Sequence, residues 1–305
     1  MRVIQNPRAA GERVVALGTF DGVHRGHRSL IRSAKRLAEE TGVPLRVCTF
    51  NRHPLEVLRP HDPPELLSTM PEKASLMCRL GVDEMELIAF DRSVAAMEPE
   101  AFLDRLRNEM DIRAVVAGWN YSFGRKGRGD ADLLKKDGRV HGYRTLIVPP
   151  ESLDDGTAIS SSLVRMKLRE GKVDEAADLL GHEYTITGTV AQGKHKGRTL
   201  GFPTANITPW KRKALPEYGV YTCLLETEED TYPAVANVGV QPTIPSGIVT
   251  VEAHILGSGP DLYGRKVRMI PLMMLREEKK FDSPEALKIQ IEKDRNEALK
   301  LFDMA

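Results

Sequence analysis

Val14-Val15-Ala16-Leu17-Gly18-Thr19-Phe20-Asp21-Gly22-Val23-His24-Arg25-Gly26-His27 is the stretch whose reading decides the first fold. Its first four residues are a short apolar run of the kind that makes a buried strand. Gly18 and Gly22 let backbone approach a ligand closely, and two histidines three apart then stand at the start of a helical pattern. In that pattern Leu30, Ile31, Ala34, Leu37 and Ala38 share one helix face, and Gly42 marks its stop. The unshared backbone N–H groups of a helix N-terminus favour phosphate, and histidines at i and i+3 lie on nearly the same face. Their N–H groups could therefore grip a polyphosphate together; a tight turn with exposed histidines is the plainer alternative. Neither Walker-A spacing nor GxGxxG occurs in the chain, so P-loop and dinucleotide-binding folds lose support.

Outward from this stretch, residues 45–50, 85–90, 114–117 and 144–148 read as further strands. Helical patterns separate them at 71–80 and around Phe102, Leu103, Leu106 and Met110, and two more helices follow at about 161–170 and 174–180. Strands alternating with helices imply a doubly wound α/β domain, its parallel sheet covered on both faces. Ligands bind at the carboxyl ends of such strands. From Tyr184 the period changes. Tyr184, Ile186 and Val190 alternate, as do Val249, Val251 and Ile255, and glycine- and proline-rich turns separate strand-like runs at 219–225 and 231–238. That pattern predicts a small antiparallel β-barrel, closed by one helix that starts at Ser283-Pro284 and packs Leu287, Ile291, Ala298, Leu299 and Phe302. The expected division is 1–182 and 183–305, in keeping with two domains for 305 residues.

Composition removes several classes. With 41% hydrophobic and 29% charged residues the chain is not disordered in bulk. A net charge of +1, from 44 Lys and Arg against 43 Asp and Glu, argues against a general nucleic-acid binder while leaving room for local phosphate sites. No run approaches the roughly 18 apolar residues of a membrane span, and the first residues lack a signal-peptide core, so a cytoplasmic protein without membrane partners is expected. Three well-separated cysteines, Cys48, Cys78 and Cys223, fit neither a disulfide framework nor a zinc site.

Four other segments carry chemistry. Gly124-Arg125-Lys126-Gly127-Arg128-Gly129 is a cationic loop suited to phosphate, or a solvated surface loop. Ser160 and Ser161 precede an apolar helical run, which is the position of an N-cap, and Arg165 lies about one turn further along. Gly193-Lys194-His195-Lys196-Gly197-Arg198-Thr199-Leu200-Gly201-Phe202-Pro203-Thr204-Ala205-Asn206 joins a basic glycine loop to a polar turn. Its glycines would free N–H groups for phosphates, and Thr204 and Asn206 offer neutral oxygens suited to Mg²⁺ shared with ATP; a hairpin with incidental lysines is the alternative. On the strand at 248–256, Thr250, Glu252 and His254 share one face. A glutamate there can accept a hydroxyl proton during phosphoryl transfer, and an exposed barrel face would also tolerate it.

The Gly18–His27 stretch resembles the HxGH signature of nucleotidyltransferases. Together with Thr49-Phe50-Asn51-Arg52-His53-Pro54, Gly118-Trp119-Asn120-Tyr121-Ser122-Phe123-Gly124 and Ile159-Ser160-Ser161-Ser162-Leu163-Val164-Arg165, it is similar to the adenylyltransferase half of bacterial bifunctional FAD synthetases. Arg52, Trp119 and Leu163 depart from the family's usual residues. Gly201 to Asn206, Asn237-Val238-Gly239-Val240-Gln241-Pro242-Thr243, Val251-Glu252-Ala253-His254-Ile255 and Asp261-Leu262-Tyr263-Gly264 resemble, in order, a riboflavin kinase domain. Later motifs, among them Leu275-Arg276 and Ile289 to Asp294, extend the resemblance to the C-terminal region.

The resemblance implies phosphorylation of riboflavin to FMN by ATP, then adenylylation of FMN to FAD with release of pyrophosphate, Mg²⁺ serving as cofactor. It assigns ATP contacts to Gly18, Phe20, Asp21, Gly22, His24, His27, Ser160, Ser161 and Arg165, and flavin or nucleotide contacts to Asn120, Phe123 and Arg125. In the kinase half, Gly193, Lys196, Gly197, Gly201, Thr204 and Asn206 would meet phosphate, Thr204 and Asn206 also the metal, and Glu252 would be the base, with His24 and His27 the catalytic pair of the other half. Two alternatives stand beside this reading: a riboflavin kinase with a weakened adenylyltransferase half, and a flavin or nucleotide sensor without turnover. A homo-oligomer is left open.

Overall fold

The apolar run at Val14 to Leu17 ends β2 (Ala9–Leu17) and is buried at the centre of a six-stranded sheet. The computed structural model describes residues 1–4, 9–191, 202–240 and 249–303. The sheet also contains β1 (Arg2–Ile4), β3 (Leu45–Phe50), β4 (Glu84–Ile88), β5 (Met110–Gly118) and β6 (Arg144–Val148). Its order is β1-β4-β3-β2-β5-β6, and every pairing is parallel. From β2 the chain winds outward through β3 and β4, then returns to lay β5 and β6 on the other side of β2. The order therefore reverses between β2 and β5, the switch point at which open α/β sheets bind ligands.

Helices cover both faces. α1 (Arg25–Thr41) buries Leu30, Ile31, Ala34, Leu37 and Ala38 against Val14, Ala16 and Val116, where Leu76 and Met77 of α3 (Met70–Arg79) join them. Each fully buried Leu or Ile contributes about 1.5–3 kcal/mol over an exposed one. α1 ends where Gly42 takes φ 70° and its N–H bonds the carbonyls of Ala38 and Glu39, a left-handed cap that suits glycine. On the opposite face, α5 (Pro99–Glu109) packs Phe102, Leu103 and Leu106, and α6 (Ala131–His141) packs Leu134, against Val15, Leu17 and Val115. Near the starts of β3 and β4 this face holds a buried ion network. The fully buried Arg46 donates to Glu84 at 2.7 Å and to Glu86 at 3.4 Å, and Arg13 donates to Glu84 at 2.8 Å. Removing one partner would strand a buried charge at a cost of about 3–5 kcal/mol. Two short helices, α2 (Pro54–Leu58) and α4 (Arg92–Ala96), follow β3 and β4.

By packing, the chain divides into Met1–Ser161 and Ser162–Ala305. The second unit is a closed antiparallel barrel of β7 (Ile186–Ala191), β8 (Ala205–Pro209), β9 (Gly219–Glu226), β10 (Thr231–Val240), β11 (Val249–Ile255) and β12 (Lys266–Glu277), in the order β10-β11-β8-β7-β12-β9. The helix α9 (Pro284–Asp303) is tied to β12 through Arg276, whose guanidinium holds Asp294 at 2.8 Å. The helices α7 (Ser161–Arg169) and α8 (Val173–Leu180) count with this unit rather than with the sheet, although the period of the sequence changes only near 182. The Glu217 N–H donates to the Leu168 carbonyl at 2.8 Å, and a Cβ on Gly171 would stand 2.5 Å from the Met274 sulfur.

Candidate active sites

The first site grows from the Gly18–His27 turn, and its shape needs more than glycine. Phe20 (φ 49°) and Val23 (φ 46°) both occupy the left-handed region, which is a genuine outlier for a β-branched residue. Side chains outside the turn hold it there. Asp21 accepts the N–H groups of Leu67 (3.1 Å) and Ser68 (3.2 Å), the Gly22 N–H donates to the Ser68 hydroxyl at 3.1 Å, and the Ser161 hydroxyl donates to the Asp21 carbonyl at 2.9 Å. The Thr19 carbonyl accepts from the Thr49 hydroxyl at 3.0 Å and from the Lys73 ammonium at 2.7 Å. Asp21 and Gly22 thus serve the shape of the turn. Gly18 has no room for a side chain, since a Cβ would meet the Phe20 ring at 2.8 Å.

The two histidines stack, centroids 3.7 Å apart, with the Phe20 ring edge-on to His27 at 5.2 Å. His24 caps α1, its Nδ1 accepting the His27 N–H at 3.4 Å. The proton of a neutral His24 is therefore on Nε2. Gly26 leaves space for that imidazole, because a Cβ there would stand 3.2 Å from its Cε1. Burial pulls the His24 pKa down to about 4 against the opposing charge of Asp21. Burial, then His24, then Lys73 pull His27 well below its ordinary value. His27 keeps some exposed area, yet its Nδ1 is sealed from solvent and has no hydrogen-bond partner.

A cavity of about 500 Å³ opens at the ends of β2 and β5. Its polar lining includes Gly18, His24, Gly26, His27, Ser160 and Ser161. Its aromatic lining includes Phe50, Phe90, Phe102, Tyr121 and Phe123, and Trp119 and Asn120 also line it. Phe50 meets Phe90 edge-on at 4.8 Å, and Tyr121 stacks on Phe123 at 5.7 Å. Of the cationic loop, the cavity touches Gly124, Lys126 and Gly127. Arg125 pairs instead with Glu98 at 3.3 Å, on the exposed surface, and Arg128 pairs with the same carboxylate. Arg165 is buried in the second unit.

In the barrel, register places Asn206 of β8, Glu252 of β11 and Asn237 of β10 side by side in one row. Directly opposed residues share a face, so Glu252 stands between two amides. A second cavity, about 790 Å³, is lined by Phe202, Thr204, Asn206, His254, Tyr263 and Arg295 among others. The His254 Nδ1 lies 2.9 Å from the Pro203 carbonyl and therefore donates to it, and its ring meets Phe202 edge-on. Gly193, Lys196, Gly197 and Gly201 lie outside the described residues. Among the described residues, no group of three or more His, Cys, Asp or Glu could hold a metal ion.

Sequence reasoning missed Lys73 and Ser68, and it placed His254 on the face of Glu252 without giving it a role. For Lys73 a signal was present: it stands three and four residues before Leu76 and Met77, a lysine on the apolar stripe of its helix.

A doubly wound sheet with paired histidines at its switch point, joined to a closed barrel, describes a two-site nucleotide-using enzyme. The FAD synthetase family model matches residues 6–163 and the riboflavin kinase model residues 180–302. The bifunctional riboflavin kinase/FMN adenylyltransferase of Listeria monocytogenes is 36% identical over 95% of this chain and 92% of that protein. Its counterpart in Escherichia coli is 35% identical over 95% and 93%. A crystal structure from Streptococcus pneumoniae, described as a macrolide-efflux protein, superposes with a TM-score of 0.88 at 32% identity, covering 97% of this chain and 98% of that one. Among the described residues no helix is long and apolar enough to cross a membrane. The chain belongs to the bifunctional riboflavin kinase/FMN adenylyltransferase family. It phosphorylates riboflavin to FMN and adenylylates FMN to FAD, with ATP as the second substrate of both steps.

Proposed function

We propose that the cavity at the β2/β5 switch performs adenylyl transfer and that the barrel cavity performs phosphoryl transfer. The observation that carries the first assignment is the stacked pair His24 and His27 at the N-terminus of α1, neutral at pH 7. Their Nε2–H groups and the helix mouth take the ATP phosphates, while Asn120 and the aromatic side chains of the lining take the flavin. A phosphate oxygen of FMN attacks the α-phosphorus, the bond from that phosphorus to the bridging oxygen breaks, and pyrophosphate leaves. The imidazoles donate to the oxygens on which charge develops, and Ser160 and Ser161, which line the same cavity, assist. Positioning and fixed donors suffice, without a covalent intermediate.

In the barrel, Glu252 takes the proton of the riboflavin 5′-hydroxyl, whose oxygen attacks the γ-phosphorus as ADP departs. Register supports this role by setting Glu252 beside Asn206, a residue that lines the cavity. Thr204 and Asn206 present a hydroxyl and an amide oxygen, neutral donors that suit a Mg²⁺ brought in by ATP rather than a resident cation. That metal would neutralise phosphate charge. Gly193, Lys196, Gly197 and Gly201 would cradle the phosphates. We take the kinase half to begin near 183, close to the start of the family match at 180, and place both reactions in the cytoplasm.

The test is His27→Ala. FAD formation should fall by roughly a hundred- to a thousand-fold, the usual cost of one such donor, while riboflavin phosphorylation stays at its wild-type rate. Equal loss of both activities would point to a folding role.

A further inference from the structure

We propose that Lys73 is a positioning residue of adenylyl transfer: from its buried place on α3 it anchors the Gly18–His27 turn through the Thr19 carbonyl and so sets His27 as an N–H donor toward the ATP phosphates. The inference rests on the assignment of His27 to the ATP phosphates.

Lys73 lies on α3 with only 8% of its surface exposed. A lysine with no task does not stay there, since burying an ammonium is costly unless it is paired and hydrogen-bonded. Here the side chain reaches the Thr19 carbonyl at 2.7 Å, immediately before left-handed Phe20. Burial lowers the Lys73 pKa, against the opposing charge of Asp21. The charge of Lys73 also acts on His27. The groups around His27 are His24 stacked on it, Asp21 in the turn and Lys73 from α3, and the cavity lining adds His53, Lys126 and Glu151.

Geometry adds a second reason for a neutral His27. Its Nδ1 is sealed and lacks an acceptor, so an imidazolium would strand a buried N–H, whereas an unpaired lone pair is better tolerated. The stable form carries its proton on Nε2. Such a donor does not change state as the proton concentration varies near neutrality, and the buried charge of Lys73 reinforces that state.

The experiment uses the full chain, with riboflavin phosphorylation as internal control, and compares Lys73→Met, Lys73→Gln and Lys73→Arg. Lys73→Met removes both charge and donor at similar length. It should lower kcat for FMN adenylylation by roughly ten- to a hundred-fold, leave the KM for FMN within about twofold because FMN is held elsewhere, and move the acidic limb of the kcat profile to higher pH. Lys73→Gln, a donor without charge, should keep the displaced limb. Lys73→Arg should bring it back toward wild type. Wild-type kcat and limb in Lys73→Met would overturn the proposal, as would equal loss of both activities, which marks a purely structural lysine. A direct NMR titration of His27 in the wild-type chain removes dependence on the variants: an imidazole that titrates at its ordinary value overturns the proposal outright. His27→Ala separates the two levels. If it makes FAD at the wild-type rate, the phosphate-site assignment fails; if it is impaired while Lys73→Met is not, only the role of Lys73 fails.

Discussion

Lowering the pH from about 7.5 to about 5 should weaken the first unit through His24, and the size of the effect follows from its surroundings. Burial holds the His24 pKa at about 4 in the folded chain, against about 6.5 for an unperturbed histidine. The folded value is the lower one, so the unfolded chain binds the proton more readily. The contribution of His24 is therefore complete above about pH 6.5 and declines as pH falls toward 4. At about pH 5 the linkage amounts to about 2 kcal/mol, or roughly 4–8 °C in Tm for a unit of this size. His24→Asn isolates it: an asparagine can still cap α1 by accepting the His27 N–H, but it does not titrate. Scanning calorimetry of both chains at the two pH values gives the difference. The wild type should lose about 2 kcal/mol more than the variant, and excess pyrophosphate should offset much of that loss, because an anion at the helix mouth favours protonated imidazole. Equal losses in the two chains would refute the buried, neutral His24 and the donor role built on it.

Glu252→Gln should slow riboflavin phosphorylation by roughly a hundred- to ten-thousand-fold if the carboxylate takes the hydroxyl proton, while FMN supplied directly is adenylylated normally; near wild-type phosphorylation would remove Glu252 from the mechanism. Gly18→Ala places a Cβ 2.8 Å from the Phe20 ring, so FAD formation should fall at least about tenfold as that ring shifts against His27, with FMN formation as the control. Of two fragments, 162–305 should unfold at a higher denaturant concentration than 183–305. The longer one keeps Val164, Leu168, Val173, Ala176, Leu179 and Leu180, all buried, and the Glu217–Leu168 hydrogen bond. Equal midpoints would show that α7 and α8 add nothing to the barrel.

Much of this protein is written locally. The strand at 14–17, the face of α1 and its stop at Gly42 follow from apolar spacing and one glycine, and the change of period at Tyr184 announces the barrel. Short or interrupted elements are less legible. β12 does not show in the sequence, because Pro271 punctuates its pattern and the pairing with β9 shifts register just after it, an irregularity that only the neighbouring strand can accommodate. The candidate sites divide in the same way. His24, His27 and Glu252 stand out as residue types in a pattern. Their surroundings come from chain far away: β5 beside β2 brings Asn120 to the histidine turn, Leu67 and Ser68 tie down Asp21, and Lys73 reaches Thr19 from 54 positions away. Left-handed Phe20 and Val23 could not be read from the sequence, since backbone preference alone disfavours them and only those distant hydrogen bonds offset the strain. Local pattern settles the long, regular elements and which side chains can do chemistry, because both depend on near neighbours. Tertiary structure decided which strands adjoin, which loop cation meets the cavity and which histidine nitrogen carries the proton, because each of these is set by contacts between residues remote in the chain.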